Sequence, residues 1–247
     1  MKKVTASTSS YKGVRDFYPE DAFVQNYIKS TMADVVEHFG YEQYDASVLE
    51  PLELYKNKTS EEIVNEQVYS FTDRGGREVA LRPEMTPTVA RMVAARRREL
   101  AFPLRLYSIP NVFRYEKPQR GRLREHWQLN CDMFGVSHVE GDVEVILISY
   151  EIMRAFGAQD KQFIIKVNHR AVIPELLEHI AAQHNLSFPA EKHTELTRLM
   201  DRKDKLPAKE YGEQMTHLLG EELASALLTS YTPSNIRKLL QEVPSGK

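Results

Sequence analysis

The sequence holds a single cysteine, Cys131, in 247 residues, so no disulfide can form within the chain. It has no apolar run approaching the roughly 20 residues needed to cross a bilayer, and no N-terminal segment in which basic residues precede an apolar core. A cytoplasmic protein without membrane contact is expected. Neither charge is in excess: 33 Lys and Arg stand against 35 Asp and Glu, a formal net charge of −2. That balance excludes a global field for nucleic acid and confines any such contact to local basic patches. Gly-x-Gly-x-x-Gly and Gly-x-x-x-x-Gly-Lys-Ser/Thr are both missing, so a nucleotide site here is neither a Rossmann nor a Walker loop. His169, His179, His184, His193 and His217 are too scattered for the close ligand spacing of zinc, and no metal site is expected. No internal repeat is present.

What is there is 42% hydrophobic, enough for a proper core in one large domain or a domain with a small appendage. The chain is organised around the stretch from Ile109 to Gly135, which reads strand, basic loop, strand. Its first arm, residues 111–115, carries Val112 and Phe113. In the second, Trp127, Leu129, Cys131 and Met133 alternate with Gln128, Asn130 and Asp132, the period-two pattern of a strand with one buried and one polar face. Two amides and a carboxylate in succession suit a pocket for a polar ligand. Cys131, on the apolar face, reads as a buried small hydrophobe rather than a reactive thiol. Between the arms Lys117, Arg120, Arg122 and Arg124, bent by Pro118 and Gly121, can fold over a polyphosphate and neutralise it. On alternation Arg114 and Glu116 project to one side, at the mouth of such a site. Composition alone equally allows a solvated basic hairpin.

Apolar spacing predicts a helix over 24–39 ended by Gly40, then a strand over 41–49. Segments 68–71 and 78–82 flank Asp73-Arg-Gly-Gly-Arg77, a hairpin with its glycines at positive φ. Thr86 followed by Pro87 predicts a hydroxyl-capped helix to about residue 98, with Val89, Met92 and Val93 buried and Arg96, Arg97 and Arg98 solvated at its end. Glu84 then either favours the helix start electrostatically or binds a ligand. A strand over 104–109, a helix over 142–156 capped by Asp142 and followed by Gly157, and a buried strand over 162–168 come next. From Ala171 the sequence turns helical, with candidates at 173–184, 191–200, 211–219 and 221–228 broken by Pro189, Pro207 and Pro233. Strands contributed by neighbouring segments, with helices gathered beside them, predict an α+β architecture on an antiparallel sheet.

Phe113-Arg-Tyr-Glu116, a basic loop and His126-Trp-Gln-Leu-Asn-Cys-Asp-Met-Phe-Gly135 resemble the second signature motif of class II aminoacyl-tRNA synthetases, specifically the histidyl family. Leu81-Arg-Pro-Glu-Met-Thr86 resembles that family's histidine-binding Arg-Pro-Glu-x-Thr stretch, and Gly13-Val-Arg-Asp-Phe-Tyr-Pro-Glu-Asp21 its N-terminal opening. The resemblance implies a disordered lead-in over 1–11, an incomplete class II synthetase-like catalytic core over 12–170 with helices flanking an antiparallel sheet, and an incomplete helical insertion domain over 171–247. Asp201-Arg-Lys-Asp-Lys-Leu-Pro207 carries the likeness to that insert, which in the family lies against the acceptor end of the tRNA. The helix and strand over 24–49 correspond to the family's first motif and dimer interface, where a proline usually stands in place of Ser47; a homodimer is implied.

The reaction so implied is ATP plus histidine to histidyl-adenylate and pyrophosphate, followed by transfer to the terminal ribose of histidine tRNA. It demands positioning and charge neutralisation, with Mg²⁺ on the polyphosphate. The resemblance assigns Arg114 to the α-phosphate and catalysis, Arg122 and Arg124 to the outer phosphates, and Glu116 to the adenine end. Glu84, Thr86 and Gln128 would take the amino group of histidine and Asp132, where family members often carry glutamate, its imidazole. The family continues with a second histidine-specific strand, a glycine-rich third motif and an anticodon-binding domain that do not occur here, so a fragment with weak activity of its own is expected. Two other functions fit parts of the pattern. A non-catalytic, histidine-sensing regulatory subunit of ATP phosphoribosyltransferase has no need of a polyphosphate clamp. A basic RNA-binding domain has no need of Glu84, Gln128 and Asp132 together.

Overall fold

Pro19 opens the first helix, ahead of the start that apolar spacing predicts. α1 spans Pro19–His38: the missing N–H of proline costs nothing in the first turn, and Glu20 and Asp21 meet the positive end of the helix dipole. The helix closes at Phe39, after which Gly40 takes φ +80°. The computed structural model describes residues 7–56, 67–167, 172–183, 192–203 and 206–230. The chain divides into two units, Met1–Ile165 and Lys166–Lys247.

In the first unit three small sheets carry the architecture. β1 (Glu42–Gln43) runs parallel to β5 (Leu104–Ser108), which pairs antiparallel with β8 (Asn130–Phe134) in the order β1-β5-β8. β2 (Leu49–Pro51), β4 (Glu78–Leu81) and β3 (Ser70–Thr72) form an antiparallel sheet in the order β2-β4-β3. β6 (Asn111–Phe113) and β7 (Glu125–Trp127) form a two-stranded ribbon. Helices α2 (Glu53–Lys56), α3 (Thr86–Arg96) and α4 (Val139–Ala155) complete the unit. Val36, Tyr41, Tyr107 and Ile148 are buried together, and Leu129, Cys131 and Met133 pack against them, so α1 and α4 cover one face of the β1-β5-β8 sheet. Asn130 and Asp132 therefore look to the opposite face.

Five expectations need correction. The strand over 41–49 is split between two sheets, because Asp45 accepts a bond from Ala46 N and Ser47 from Leu49 N, local turns that compete with a ladder. The second arm of the central hairpin is likewise two strands. Pro110 separates β5 from β6, and opposite it Gln128 N donates to Pro110 O at 3.1 Å, so β7 and β8 belong to different sheets. The helix expected from Asp142 begins at Val139 instead, with Asp142 in its first turn. Residues 163–167 are irregular, with Ile164 85% and Val167 68% exposed, rather than a buried strand. An apolar β-branched run becomes a strand only against a partner, and among the described residues none pairs with it. Asn168 lies outside them. Of the two hairpin glycines between β3 and β4, only Gly76 takes positive φ; Asp73 organises the turn by accepting bonds from Gly75 N and Arg77 N.

The second unit is helical: α5 (Val172–Gln183), α6 (His193–Asp201), α7 (Ala208–Leu219) and α8 (Glu221–Ser230). Leu177, Ile180, Leu196, Met215, Leu218 and Leu227 are buried in one cluster. Pro207, extended, precedes α7, and Gly220 at φ +81° turns the chain into α8. His184, Pro189, Glu191 and Pro233 lie outside the described residues. Architecture is thus α+β with a helical unit, with one parallel pair, β1 and β5, in an otherwise antiparallel set among the described residues.

Candidate active site

The site is assembled by Arg82, only 4% exposed at the end of β4. Its Nε donates to Asn111 O at 2.8 Å, Nη2 to Asn111 Oδ1 at 3.0 Å and Nη1 to Ala46 O at 2.8 Å, and Asp45 lies 3.5 Å from Nη1. Asn111 Nδ2 in turn donates to Glu125 Oε1 at 2.9 Å. One guanidinium thereby joins three segments distant in sequence, and its geometry suits that better than a lysine would. Beyond it Pro83 and Met85 are buried and Glu84 is half-buried at the entry to α3.

Arg114 follows β6, and its Nε donates to Pro83 O at 3.0 Å, setting the arginine beside Glu84. The expected hydroxyl cap on α3 is absent. Met85 is the N-cap, and the Thr86 hydroxyl instead turns to Asp132 Oδ1 at 3.4 Å. Burial pushes the Asp132 carboxyl above its ordinary range, and the bond from Thr86 partly offsets this. Cys131, on the other face of β8, has its thiol pushed up to about 12 by burial, which keeps it in the inert form expected.

The basic loop separates into two kinds of arginine. Arg122 is 63% exposed and pairs with the Glu116 carboxylate at 3.2 Å, while its backbone bridges Gln119. Arg124 is 8% exposed, and its role as a phosphate ligand does not fit its surroundings. Nε donates to Glu116 O at 3.0 Å, and Nη1 to Tyr11 Oη at 3.2 Å and Lys12 O at 3.4 Å; the guanidinium lies 4.0 Å from the centre of the Tyr115 ring. Nε and Nη1 are thus engaged by the protein. The simple alternation of Arg114 and Glu116 fails as well, because Glu116 N donates to Arg114 O at 2.8 Å in a three-residue turn. Gln128 falls between β7 and β8, so strand alternation no longer places it beside Asp132.

The structure therefore brings together Thr86 with Asp132, Arg114 with the Glu84 segment, and Glu116 with Arg122. It also shows neighbours that motif reading passed over. His126, opposite Val112 in the ribbon, is held below its usual pKa by burial and by the positive Arg114. Tyr44, Ser108 and Asn130 share the polar sheet face with Asp132. Of these only Asn130 gave a signal, as a member of the polar alternation.

Comparison with known proteins gives this arrangement a family. The histidyl-tRNA synthetase family model matches residues 13–246. A histidine-tRNA ligase of Leptospira biflexa is 50% identical over 212 residues, 85% of this chain and 47% of that one. One of Haloarcula marismortui is 39% identical over 202 residues, covering 82% and 45%. This chain spans about half the length of the curated relatives it matches. Among solved structures, an ATP phosphoribosyltransferase regulatory subunit/histidyl-tRNA synthetase from Bacillus halodurans superposes with a TM-score of 0.79 at 22% identity, covering 98% of this chain and 61% of that one. A histidine-tRNA ligase subunit from Alicyclobacillus acidocaldarius gives 0.70 at 22% identity, covering 97% and 70%. Likeness at that identity speaks for the fold, and it agrees with the α+β architecture. Because the family model runs nearly the whole length of the chain and half of the residues aligned with a curated relative are identical, the chain belongs to the histidyl-tRNA synthetase family.

Proposed function

We propose that this chain carries the adenylate-forming site of a histidine-tRNA ligase. A carboxylate oxygen of histidine attacks the α-phosphorus of ATP, the bond to the bridging oxygen breaks, and pyrophosphate leaves. The energetic problem is the negative charge gathering at phosphorus, and preorganised cationic donors answer it. Arg114, with Nε on Pro83 O at 3.0 Å, turns its terminal nitrogens to the α-phosphate. Arg122 exchanges Glu116 for the outer phosphates and releases that carboxylate to the adenine end. Arg124 holds the loop base and takes no phosphate. Glu84, Thr86 and Gln128 bind the ammonium group, and Asp132 receives the imidazole. Mg²⁺, reluctant to shed its water, would enter on the ATP phosphates. The adenylate then acylates histidine tRNA. No described helix is long and apolar enough to cross a membrane.

The observation that carries this reading is the bond from Arg114 to the Pro83 carbonyl, which ties the arginine to the segment that bears Glu84 and Thr86 and so supports a phosphate site next to an amino-acid site. Histidine-dependent ATP–pyrophosphate exchange tests it. Arg114→Ala is expected to lower exchange by roughly 10²–10³-fold, the effect of losing one preorganised donor. An unchanged rate would remove Arg114 from the mechanism, and histidine binding with no exchange at all would favour a regulatory subunit.

A further inference from the structure

The polar face of the β1-β5-β8 sheet holds more unsatisfied groups than the proposed mechanism uses. Asp132 Oδ2, Asn130 Oδ1, Ser108 Oγ and Tyr44 Oη are all shielded from solvent and none has a partner in good hydrogen-bond geometry, the nearest approach being that of the Ser108 and Tyr44 hydroxyls to each other, which still leaves the Tyr44 O–H free to donate. They are neighbours. Ser108 is the cross-strand partner of Asn130, and Asp132 stands two residues along the same strand face. Tyr44 N donates to Tyr107 O at 2.9 Å, which sets Tyr44 level with Ser108 at the end of the parallel pair. Its ring hydroxyl lies close enough to Ser108 and Asp132 to feel both, although burial is the main reason its pKa is pushed up to about 12. Ser108 is 2% exposed.

Each buried polar atom without a partner costs stability, and native domains carry only a few per hundred residues. Four on one patch of sheet, beside the Thr86 hydroxyl, mark a surface built for something that completes it. Their chemistry is specific. Asp132 and Asn130 offer acceptor oxygens, whereas Tyr44 and Ser108 offer hydroxyls that can donate. A neutral imidazole carries one ring N–H donor and one ring nitrogen acceptor, and it matches that set.

We propose that Tyr44, Ser108 and Asn130 are specificity-determining residues that read the ligand's ring together with Asp132, the Tyr44 hydroxyl donating to the unprotonated ring nitrogen. This inference rests on the proposed function and adds three residues to its amino-acid side. A site that hydrogen-bonds a ring nitrogen rejects an analogue lacking it, because its own groups are then left unpaired.

Calorimetric titration with histidine and with β-(2-thienyl)alanine, whose five-membered ring has no nitrogen, tests the assignment. The wild-type chain is expected to prefer histidine. Tyr44→Phe, which removes only the hydroxyl, should weaken histidine by about tenfold, in line with one lost hydrogen bond, and leave thienylalanine and ATP unchanged. Ser108→Ala should act in the same direction, and it serves as the second variant if Tyr44→Phe melts early. Equal losses for both amino acids, or none for either, would overturn the inference while leaving the proposed function standing. A wild-type chain that ignores histidine would remove the function and the inference together, and that result appears before any substitution is made.

Discussion

At Gly13 the backbone lies in the left-handed region, φ +88°, and a Cβ there would stand 2.8 Å from both Cγ and Cδ of Arg124. Its carbonyl accepts from Arg124 N at 2.6 Å, so the opening of the chain is fitted around one arginine. Gly40, at φ +80°, has nothing within 4 Å of the same point. Gly13→Ala should therefore lose more stability than Gly40→Ala in urea unfolding. Gly40→Ala is expected to cost about 1–2 kcal/mol for the backbone alone, and Gly13→Ala further kilocalories for displacing Arg124. Equal costs would mean that the arginine yields freely and is no clasp. Residue identity did not reveal this role, since Arg122 and Arg124 are alike as letters in an Arg-Leu-Arg run. Register separates them: Arg114 N donates to Arg124 O at 2.9 Å inside the ribbon base, whereas Arg122 bridges Gln119 at the loop tip. By contrast, the meeting of Thr86 with Asp132 was legible, because one stood in a motif and the other in an alternation that fixes its face.

Among elements, α4 and β5 are joined by Arg105, whose Nε and Nη2 reach the two Glu144 oxygens at 2.7 and 2.8 Å. The bidentate pair is mostly shielded, with side chains 28% and 20% exposed. The Arg105 guanidinium is the first cause holding the Glu144 carboxyl below the usual range. A depressed folded pKa means that the stabilisation is fully present above the unfolded value of about 4.3 and is lost as pH falls through the folded value. Unfolding free energy followed downward from neutral pH should fall in that acid window, and Glu144→Gln should flatten the fall. At neutral pH the variant should be less stable by about 1 kcal/mol. An unaltered acid slope would show that other carboxylates carry it. The helices on either side of this tie were readable from apolar spacing and glycine stops. Short strands were not, since two residues of β1 owe their pairing to β5, far along the chain, and a run such as 163–167 is no strand where, among the described residues, no partner meets it.

At the scale of the whole molecule, the near-balanced charge gives no long-range pull, so any assembly would have to come from surface shape and apolar area. α1 buries Val36 but leaves Phe23 74%, Val24 54%, Tyr27 55% and Ile28 40% exposed, although Tyr27 and Ile28 belong to the apolar spacing that predicts one helical face. Beside them Val24, Ile28, Met32, Phe17, Trp127 and Leu129 line an apolar groove of about 350 Å³. Soluble monomers seldom leave so many large apolar side chains contiguous, and a second copy related by a two-fold axis is the occupant that fits the proposed enzyme. A specific interface buries roughly 1,200–2,000 Å² in total, more than one helix face supplies, so such a dimer would have to include the groove and the residues around Trp127. Val24→Glu places a carboxylate in the centre of that patch while α1 keeps its buried contact through Val36. Light scattering is expected to show a dimer for the wild-type chain and a monomer for Val24→Glu, with the far-ultraviolet circular dichroism unchanged. A wild-type chain that stays monomeric at every concentration would sink the assignment, and a Val24→Glu dimer would place the interface on another surface.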